Sequence, residues 1–247
     1  MRRLWHAALD LLYPPRCCGC DAPVVHPGFC APCQDAIRPP ETPLCPVCGL
    51  PFTVARAMGA SHPDHRCGPC LRQPPRFERA RARAVYRAGA TRNPLRHALH
   101  QYKYGRDVTL ARPLGALFSG ALPRAAADYD LIVPVPLHLS RLRWRGFNQA
   151  QLLARPLSRA THLPIEVRAV ERVKATRAQV ELGETERRTN VRGAFRVTAP
   201  ARVRGRRILL VDDVFTTGAT VNECAATLQR AGARGVDVLV LARAVLD

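Results

Sequence analysis

The chain has 247 residues, of which 47% are hydrophobic, and its 38 Lys and Arg residues against 19 Asp and Glu give a formal net charge of +19. This length allows one large domain, or a medium-sized domain with a small satellite, and supplies enough apolar residues for a core. The sequence contains no run of about 18 apolar residues, so it predicts no membrane span. The positive charge is compatible with binding a polyanion such as DNA, but only two of the basic residues are Lys, and an Arg-rich composition also fits codon bias.

The first twelve residues begin basic and continue apolar, like the start of a signal peptide. His6 and Asp10 interrupt the apolar part, however, and residues 13–16 form a poor cleavage site. We therefore expect an amphipathic helix that packs on the body of the protein, and a cytoplasmic location.

Eight of the ten cysteines form four Cys-x-x-Cys pairs. Each pair is typical of a zinc knuckle, and two knuckles complete a tetrahedral site of four thiolates. A disulfide scaffold is the alternative, which a cytoplasmic location disfavours. Sequential pairing would give two ribbons with one structural Zn²⁺ each, while an interleaved arrangement stays open. The predicted ligands are Cys17, Cys20, Cys30, Cys33, Cys45, Cys48, Cys67 and Cys70.

Other candidate ligands lie near these pairs. Cys18 is expected to be a bystander, because Cys17 has the correct spacing to Cys20. His26, His62 and His65 lie between the pairs, but eight thiols make them unnecessary as ligands.

The composition changes after Gln73-Pro74-Pro75. The segments between the cysteines have too few large apolar side chains to fold alone, so bound metal must supply their stability. We therefore predict a helix and double zinc ribbon at residues 1–76, and a second domain at residues 77–247.

Strands and helices alternate through the second domain, as in an α/β protein. The first strand is expected at the edge of the sheet, and the strand that begins at Asp130 is expected to be buried. In chain order, the predicted elements are a strand at Ala82–Tyr86, a helix at Asn93–Lys103, a helix from Asp107 to about Leu122, a strand at Asp130–Pro136, a helix from Phe147 to about Ala160, and short strands at Ile165–Val167 and Phe195–Val197.

Two basic segments are candidates for anion binding. The loop predicted at residues 137–146 carries Arg141 and Arg145, and a solvated basic loop is its alternative interpretation. The polar segment from Glu171 to Arg188 lacks a clear period, which is unusual for an ordered loop and favours a lid. Such a lid, with Lys174 among its cations, would close over a phosphorylated substrate and exclude water.

The chemistry is expected at the stretch Ile208–Thr220. Four apolar β-formers lead into Asp212 and Asp213, a Thr/Gly loop follows, and a helix with apolar positions at helical spacing begins at Val221, where Cys224 is read as a small core residue. A loop before a helix directs backbone N–H groups and the positive end of the helix dipole to one point, which suits a phosphate monoester. The two carboxylates would repel phosphate, so ribose hydroxyls or a phosphate-bridging Mg²⁺ are their natural partners.

The two common nucleotide-binding loops are excluded. A Walker A loop needs Gly-Lys-Ser/Thr, and the chain's lysines follow Tyr102 and Val173 instead. The sequence also lacks Gly-x-Gly, the start of the dinucleotide fingerprint. A final apolar strand at Val236–Ala242 completes the pattern of a mostly parallel sheet covered by helices on both faces, with ligands at the carboxyl ends of its strands.

The strand, Asp-Asp and Thr-Thr-Gly-Ala-Thr order closely resembles the signature by which type I phosphoribosyltransferases bind 5-phosphoribosyl 1-diphosphate (PRPP). Over nearly its whole length the chain resembles the ComF/GntX family, including the competence protein ComFC, in which a double zinc ribbon precedes a phosphoribosyltransferase-like domain. The resemblance rests on the four Cys-x-x-Cys pairs, Pro134–Leu137, Arg145–Gln149, Arg187–Phe195 and Val211–Thr220.

The resemblance implies roles for these residues. Asp212 and Asp213 would contact the ribose hydroxyls, directly or through Mg²⁺, and residues 216–220 would hold the 5′-phosphate. Arg141 and Arg145 lie where the family carries its pyrophosphate loop. The residues implied to bind PRPP are Val214, Phe215, Thr216, Thr217, Gly218, Ala219, Thr220, Arg141, Arg145 and Lys174.

Two functions stay open at this point. One is phosphoribosyl transfer from Mg²⁺-PRPP, for which the sequence identifies no acceptor pocket or general base. The other is a non-catalytic role, as a PRPP sensor or an accessory protein that handles single-stranded DNA, since the family is associated with DNA uptake in natural transformation. A DNA-uptake protein is then a further expected partner, although an aromatic content of 6% offers few stacking platforms for single strands.

Overall fold

The computed structural model describes residues 14–52, 64–87, 93–118, 120–175 and 190–245. The expected amino-terminal helix, His62 and residues 176–189 of the expected lid lie outside the described residues. Within the described ranges, the helices are all too short or too polar to cross a membrane.

A parallel sheet of four strands forms the centre of the fold, and a two-stranded antiparallel sheet lies beside it. The central sheet has the order β1-β6-β5-β2, so the strand that carries Asp212 is an inner one and β1 is at an edge, as the sequence predicts. The strands are β1 (Ala80–Arg87), β2 (Leu131–Pro134), β3 (Val170–Arg172), β4 (Phe195–Val197), β5 (Arg207–Phe215) and β6 (Gly235–Val245).

Seven α-helices are present among the described residues. The longer ones follow the amphipathic patterns that predicted them, and Asn93 caps α3 by accepting a hydrogen bond from the Arg96 N–H at 2.9 Å. They are α1 (Ala31–Ala36), α2 (Gly68–Arg72), α3 (Pro94–Tyr104), α4 (Ala111–Ala116), α5 (Leu139–Arg145), α6 (Gln149–Thr161) and α7 (Ala219–Arg230).

The inner strands are buried on both faces, and their side chains divide the core in two. Along β5, Ile208 and Leu210 belong to one hydrophobic cluster, and Leu209 and Val211 belong to the other. This alternation follows from the two-residue period of a strand. Helix α7 covers the first face, and helices α3, α4 and α6 cover the second.

Two predicted elements are shorter in the structure than the sequence indicated. The helix expected from Asp107 to about Leu122 is a 3₁₀ turn, which Asp107 caps, followed by the short helix α4. Gly115 weakens helix propensity, and Gly120 has a φ of +76°, which an α-helix does not accommodate. The strand expected at Ile165–Val167 is reduced to one bridge between Ile132 and Ile165.

The basic loop expected at residues 137–146 is instead helix α5. His138 caps it by accepting a hydrogen bond from the Ser140 N–H at 3.2 Å, and Gly146 ends it with a φ of +86°. Residues four apart on a helix lie on the same face. Arg141 and Arg145 are therefore neighbours.

The cysteine-rich segment packs against both faces of the sheet. Its first half shares the core of the α3 face, where a Cβ on Gly19 would lie 2.6 Å from Cβ of Pro94. Its second half shares the core of the α7 face, and the Ala80 N–H donates to the Val47 carbonyl at 2.6 Å. The domain boundary predicted near residue 77 is thus crossed by extensive packing.

Candidate functional site

Eight cysteines form two groups of four, each with its sulfur atoms within 4.8 Å of one another. The Cys-x-x-Cys pairs combine sequentially, the first with the second and the third with the fourth, and are not interleaved. We name these groups the first cluster (Cys17, Cys20, Cys30 and Cys33) and the second cluster (Cys45, Cys48, Cys67 and Cys70). Cys18 and Cys224 are buried outside both clusters, as the sequence predicts.

The donor set of each cluster fits zinc. The Sγ atoms of Cys17 and Cys30 are 3.5 Å apart, and those of Cys48 and Cys67 are also 3.5 Å apart. A tetrahedron with Zn–S bonds of about 2.3 Å has sulfur–sulfur edges of about 3.8 Å. The clusters are therefore close to the size that a tetrahedral zinc ion requires.

Backbone N–H groups favour the thiolate form at one cysteine of each cluster. Burial acts to raise the pKa of Cys17, but hydrogen bonds from the N–H groups of Cys30 and Gly19 outweigh it and lower that pKa to about 6. Cys45 behaves similarly, and its pKa falls to about 7. Thiolate is the form that binds zinc, so these N–H groups favour the zinc-binding form of Cys17 and Cys45.

A cleft opens at the carboxyl ends of β2 and β5, and we name it the carboxylate cleft because Asp212 and Asp213 line it. Parallel strands β2 and β5 pair from Leu131 and Ile208 to Pro134 and Val211, which brings their ends to the same edge of the sheet. The cleft holds about 220 Å³. Val214, Thr216 and Thr220 line it from the loop after β5.

Asp213 is held by a lysine from helix α3. Nζ of Lys103 lies 2.8 Å from Oδ1 of Asp213, and the side chains are 22% and 12% exposed. Burial acts to lower the pKa of Lys103, but the Asp213 carboxylate outweighs it, so that pKa lies above its ordinary value. Lys103 is therefore a fixed cation at the wall of the cleft.

Asp212 has different surroundings. Burial, followed by the negative charge of Asp213, raises the pKa of Asp212 to about 7. Its Oδ1 accepts a hydrogen bond from the Asp213 N–H at 2.9 Å, which favours the ionised form but does not offset burial. The Asp212 carboxyl group therefore gains or loses its proton near neutral pH.

Three arginines complete the wall of the carboxylate cleft. Arg141 and Arg145 project from helix α5, and Arg172 ends strand β3. Burial lowers the pKa of Arg145 and, with the charge of Arg141, that of Arg172. Together with Lys103 these residues give four cations against two carboxylates, so the cleft favours an anionic ligand.

The loop after β5 separates this cleft from a second one. Thr216 and Thr220 line the carboxylate cleft, whereas Phe215, Thr217, Gly218 and Ala219 line the other side. We name the second one the ribbon cleft, because Cys48, Cys67 and Cys70 of the second cluster also line it. It holds about 210 Å³.

Gly218 forms the turn between β5 and α7. Its φ is +77°, and a Cβ at this position would lie 2.3 Å from Cζ of Phe215. Glycine is thus required both by the backbone conformation and by the space that the Phe215 ring occupies. The chain enters α7 at Ala219 with its first N–H groups at the loop, the arrangement that suits a phosphate group.

Most of the residues predicted from the sequence gather around this loop. The carboxylate cleft brings together Asp212, Asp213, Arg141 and Arg145. Lys174 does not line it. Its Nζ donates to the Arg192 carbonyl at 2.9 Å, beside Gly193.

The sequence predicted no role for Lys103 or for Arg172. Arg172 lies in the polar segment from Glu171 to Arg188 that was expected to be a lid. Lys103 carried a usable signal, since it is one of only two lysines among 38 basic residues. Since nearly all other basic residues of this chain are arginines, a lysine at this position indicates a requirement for a compact ammonium group. Gln149 begins α6, and its side chain is buried at the cleft. It belongs to the Arg145–Gln149 motif, but the sequence predicted no contact for it.

Two family models match these two parts of the molecule. Residues 8–73 match a family model described as a double zinc ribbon domain, and residues 135–245 match one described as a phosphoribosyl transferase domain. Two solved structures, an allosteric regulatory enzyme of purine biosynthesis and a glutamine PRPP amidotransferase from B. subtilis, each cover 55% of this chain at 21% identity. Their TM-scores are both 0.35, and the match covers 25% and 26% of those chains respectively.

Three curated relatives match over most of their length. DNA utilization protein YhgH of Escherichia coli K12 is 39% identical over 240 residues, which cover 94% of this chain and 99% of the relative. Competence protein F of Haemophilus influenzae is 34% identical, with 88% and 91% covered. Competence protein ComFC of Bacillus subtilis is 28% identical, with 82% and 78% covered.

Proposed function

Because the chain belongs to the family of DNA utilization protein YhgH and Competence protein F, with a double zinc ribbon and a phosphoribosyl transferase domain, we propose that it binds PRPP in the carboxylate cleft. The observation that carries this proposal is the meeting of two carboxylates, a helix-initiating loop and four cations at one edge of the sheet. The relatives' names support a role for this binding in the uptake or use of DNA. The ten cysteines all lie within the described residues and none forms a disulfide there, which supports a cytoplasmic location.

Each part of PRPP has a counterpart in the cleft. The 5′-phosphate would accept hydrogen bonds from the loop at residues 216–220 and benefit from the dipole of α7. Asp212 and Asp213 would accept hydrogen bonds from the ribose hydroxyls. Arg141 and Arg145 would face the diphosphate, the most highly charged part of the ligand.

The donor set also fits Mg²⁺ bound together with the ligand. Mg²⁺ is usually held by one or two carboxylates and by substrate phosphates, and Asp212 and Asp213 offer this number. When bound, it would neutralise negative charge that develops on the diphosphate. In a transfer reaction, Lys103, Arg141 and Arg145 would stabilise the departing pyrophosphate electrostatically.

Calorimetry with Mg²⁺-PRPP tests the site. We expect wild-type protein to bind and the Asp212→Asn/Asp213→Asn variant to bind at least about 100-fold more weakly, because each charge-assisted hydrogen bond is worth about 1.5–3 kcal/mol. Asp35→Asn/Asp128→Asn is the matched control, since it makes the same charge change at exposed positions. Equal affinity in the wild type and the Asp212→Asn/Asp213→Asn variant would contradict the assignment of these two residues to a PRPP site. Pyrophosphate release from PRPP in a screen of acceptors then separates a transferase from a sensor.

A second candidate function is contact with single-stranded DNA, and an exposed patch beside the carboxylate cleft favours it. Trp144 is 50% exposed and Tyr104 is 49% exposed. The guanidinium of Arg106 lies 4.7 Å from the centre of the Trp144 ring, and that of Arg145 lies 5.9 Å from the centre of the Tyr104 ring. Aromatic rings interleaved with arginine are the usual platform for stacked bases and their phosphates.

Retention of single-stranded DNA at about 50 and about 200 mM salt tests this candidate. We expect the Trp144→Ala/Tyr104→Ala variant to bind more weakly at both salt concentrations, because stacking does not depend on counterions. Exposed Leu71→Ala is a control for loss of apolar surface elsewhere. Unchanged retention by the aromatic variant would exclude this patch.

A further inference from the structure

Arg243 is a buried cation without a carboxylate partner among the described residues. It lies near the carboxyl end of β6, and the residue is only 7% exposed. The ion pairs of the described residues involve other side chains. A buried guanidinium is costly unless negative charge compensates it, so its surroundings should contain an anion.

The second cluster provides that anion. Nη1 of Arg243 donates to the carbonyl of Cys48 at 2.6 Å. The four cysteines of this cluster are between 0% and 6% exposed. Four thiolates around one Zn²⁺ carry a formal charge of −2, held in the same apolar environment as the guanidinium.

The other side of Arg243 faces Phe215, which precedes the loop at residues 216–220 that we name the phosphate loop. Its guanidinium lies 4.4 Å from the centre of the Phe215 ring, and the Phe77 ring packs edge-on against the same ring at a centroid distance of 6.0 Å. The Cζ edge of the ring approaches Gly218, where the chain turns into α7. Phe215 is therefore fixed between the arginine and the turn that forms the loop.

We propose that Arg243 is a positioning residue that couples zinc binding at the second cluster to the conformation of the phosphate loop. Zinc-bound thiolates hold the guanidinium, the guanidinium holds the Phe215 ring, and the ring supports the turn at Gly218. Loss of zinc from the second cluster disrupts the arrangement of thiolates beside Arg243 and loosens the loop. The effect of this coupling on PRPP rests on the proposed function, but the coupling itself does not.

Hydrogen–deuterium exchange of the peptide spanning residues 212–223 tests the coupling directly. Arg243→Met, at full zinc content, and Cys70→Ser, which leaves Arg243 in place, should each raise exchange in this peptide by about 10-fold. Arg243→Lys should restore part of the protection, because it keeps the charge but not the planar stacking. Arg83→Met is the matched control, since Arg83 also donates from a strand to a carbonyl of the ribbon segment, that of Ile37, on the opposite face.

Binding of ribose 5-phosphate by calorimetry gives the second readout. We expect affinity to fall about 10-fold in Arg243→Met and in Cys70→Ser, and to stay at the wild-type value in Arg83→Met. Unchanged exchange at residues 212–223 in both test variants would overturn the coupling, as would an equal rise in the control. If wild-type protein binds neither ribose 5-phosphate nor PRPP but the exchange pattern is as expected, the proposed function fails and the coupling stands.

Discussion

Asp212 and Asp213 are neighbours in the chain and have separate roles because of what surrounds each carboxylate. Asp213 is paired with Lys103, whereas Asp212 is half-buried beside a negative charge. A carboxyl group whose pKa is raised by its surroundings is common in functional sites. Near neutral pH, Asp212 is therefore a carboxyl group that responds to pH.

The raised pKa of Asp212 predicts a pH dependence of stability. Its ordinary pKa is 3.8, and in the folded protein it is about 7. Between these values the folded state binds more protons than the unfolded state, so stability falls as pH rises through this range and the loss is complete above about pH 7. We expect Asp212→Asn to be more stable than wild type by about 2–4 kcal/mol near pH 8 and nearly equal near pH 4.

Urea denaturation across this pH range measures the difference. Asp213→Asn is the matched control, and it should lower stability near pH 8, because it leaves Lys103 without its partner. A constant difference between Asp212→Asn and wild type from about pH 4 to about pH 8 would contradict the proton linkage.

Lys103 is expected to stabilise the fold as well as the charge of the cleft. Lys103→Met leaves Asp213 as a buried, uncompensated carboxylate, so we expect a loss of about 3–5 kcal/mol at neutral pH. Arg196→Met is the control, because its pairing with Glu171 is largely exposed and should cost less than about 1 kcal/mol. Equal losses in the two variants, measured by urea denaturation, would show that the Lys103 pair is no more than a surface contact.

The residues of the site were predictable from the sequence where local order defines them. Asp212, Asp213 and the loop follow one another, so strand, turn and helix patterns were enough to bring them together. Lys103 and Arg172 reach the cleft from elements that are distant along the chain, and neither pairing has a local pattern. Lys174 was assigned through a lid whose central part lies outside the described residues.

At the scale of secondary-structure elements, the turn from β5 into α7 has the strictest requirements. Val214, Thr216 and Thr220 line the carboxylate cleft, and Phe215 and residues 217–219 line the ribbon cleft, so this one segment forms a wall of both clefts. Gly218 allows this only because it combines a positive φ with the absence of a side chain. The loop is therefore sensitive to a single methyl group.

Gly218→Ala tests this sensitivity. The new Cβ would meet the Phe215 ring at 2.3 Å, so we expect a loss of stability of about 2–4 kcal/mol and weaker binding of ribose 5-phosphate. Gly205→Ala is a close control, because Gly205 has a φ of +73° but no atom near the new Cβ, and it should cost only about 1 kcal/mol. Thermal unfolding of both variants measures the difference, and similar losses would show that the ring can move without cost.

Some secondary-structure elements were predictable from the sequence and others were not. The sheet strands were recognisable because buried parallel strands are continuous apolar runs. Helix α5 was mistaken for a loop because its seven residues include three arginines, which obscured the apolar period. Its true signals were local, namely the cap at His138 and the stop at Gly146.

At the scale of the whole molecule, the two cysteine clusters lie against opposite faces of one sheet. The first shares the core of α3 and α6, and the second shares the core of α7. Zinc in either cluster therefore stabilises a part of the main core as well as its own ribbon. A ribbon of this kind is a structural part of the domain that it precedes.

Elemental analysis should give two zinc ions per chain. Removing them with a chelator should lower the midpoint of thermal unfolding for the whole protein, because structural zinc contributes on the order of 10 kcal/mol per site and both clusters share the core. Cys20→Ser, in the exposed part of the first cluster, should cost less than Cys70→Ser in the buried second cluster. A chain without zinc whose thiols all titrate freely would refute the ribbons.

The sheet order also has a consequence for synthesis on the ribosome. Strand β1 pairs with β6, which emerges more than a hundred residues later, so the early part of the nascent chain cannot complete its own hydrogen bonding. We expect a chain arrested at residue 234 to be digested by protease in the region of β1, and a chain that includes residue 245 to resist. Until β6 arrives, chaperones have an unpaired strand edge to protect.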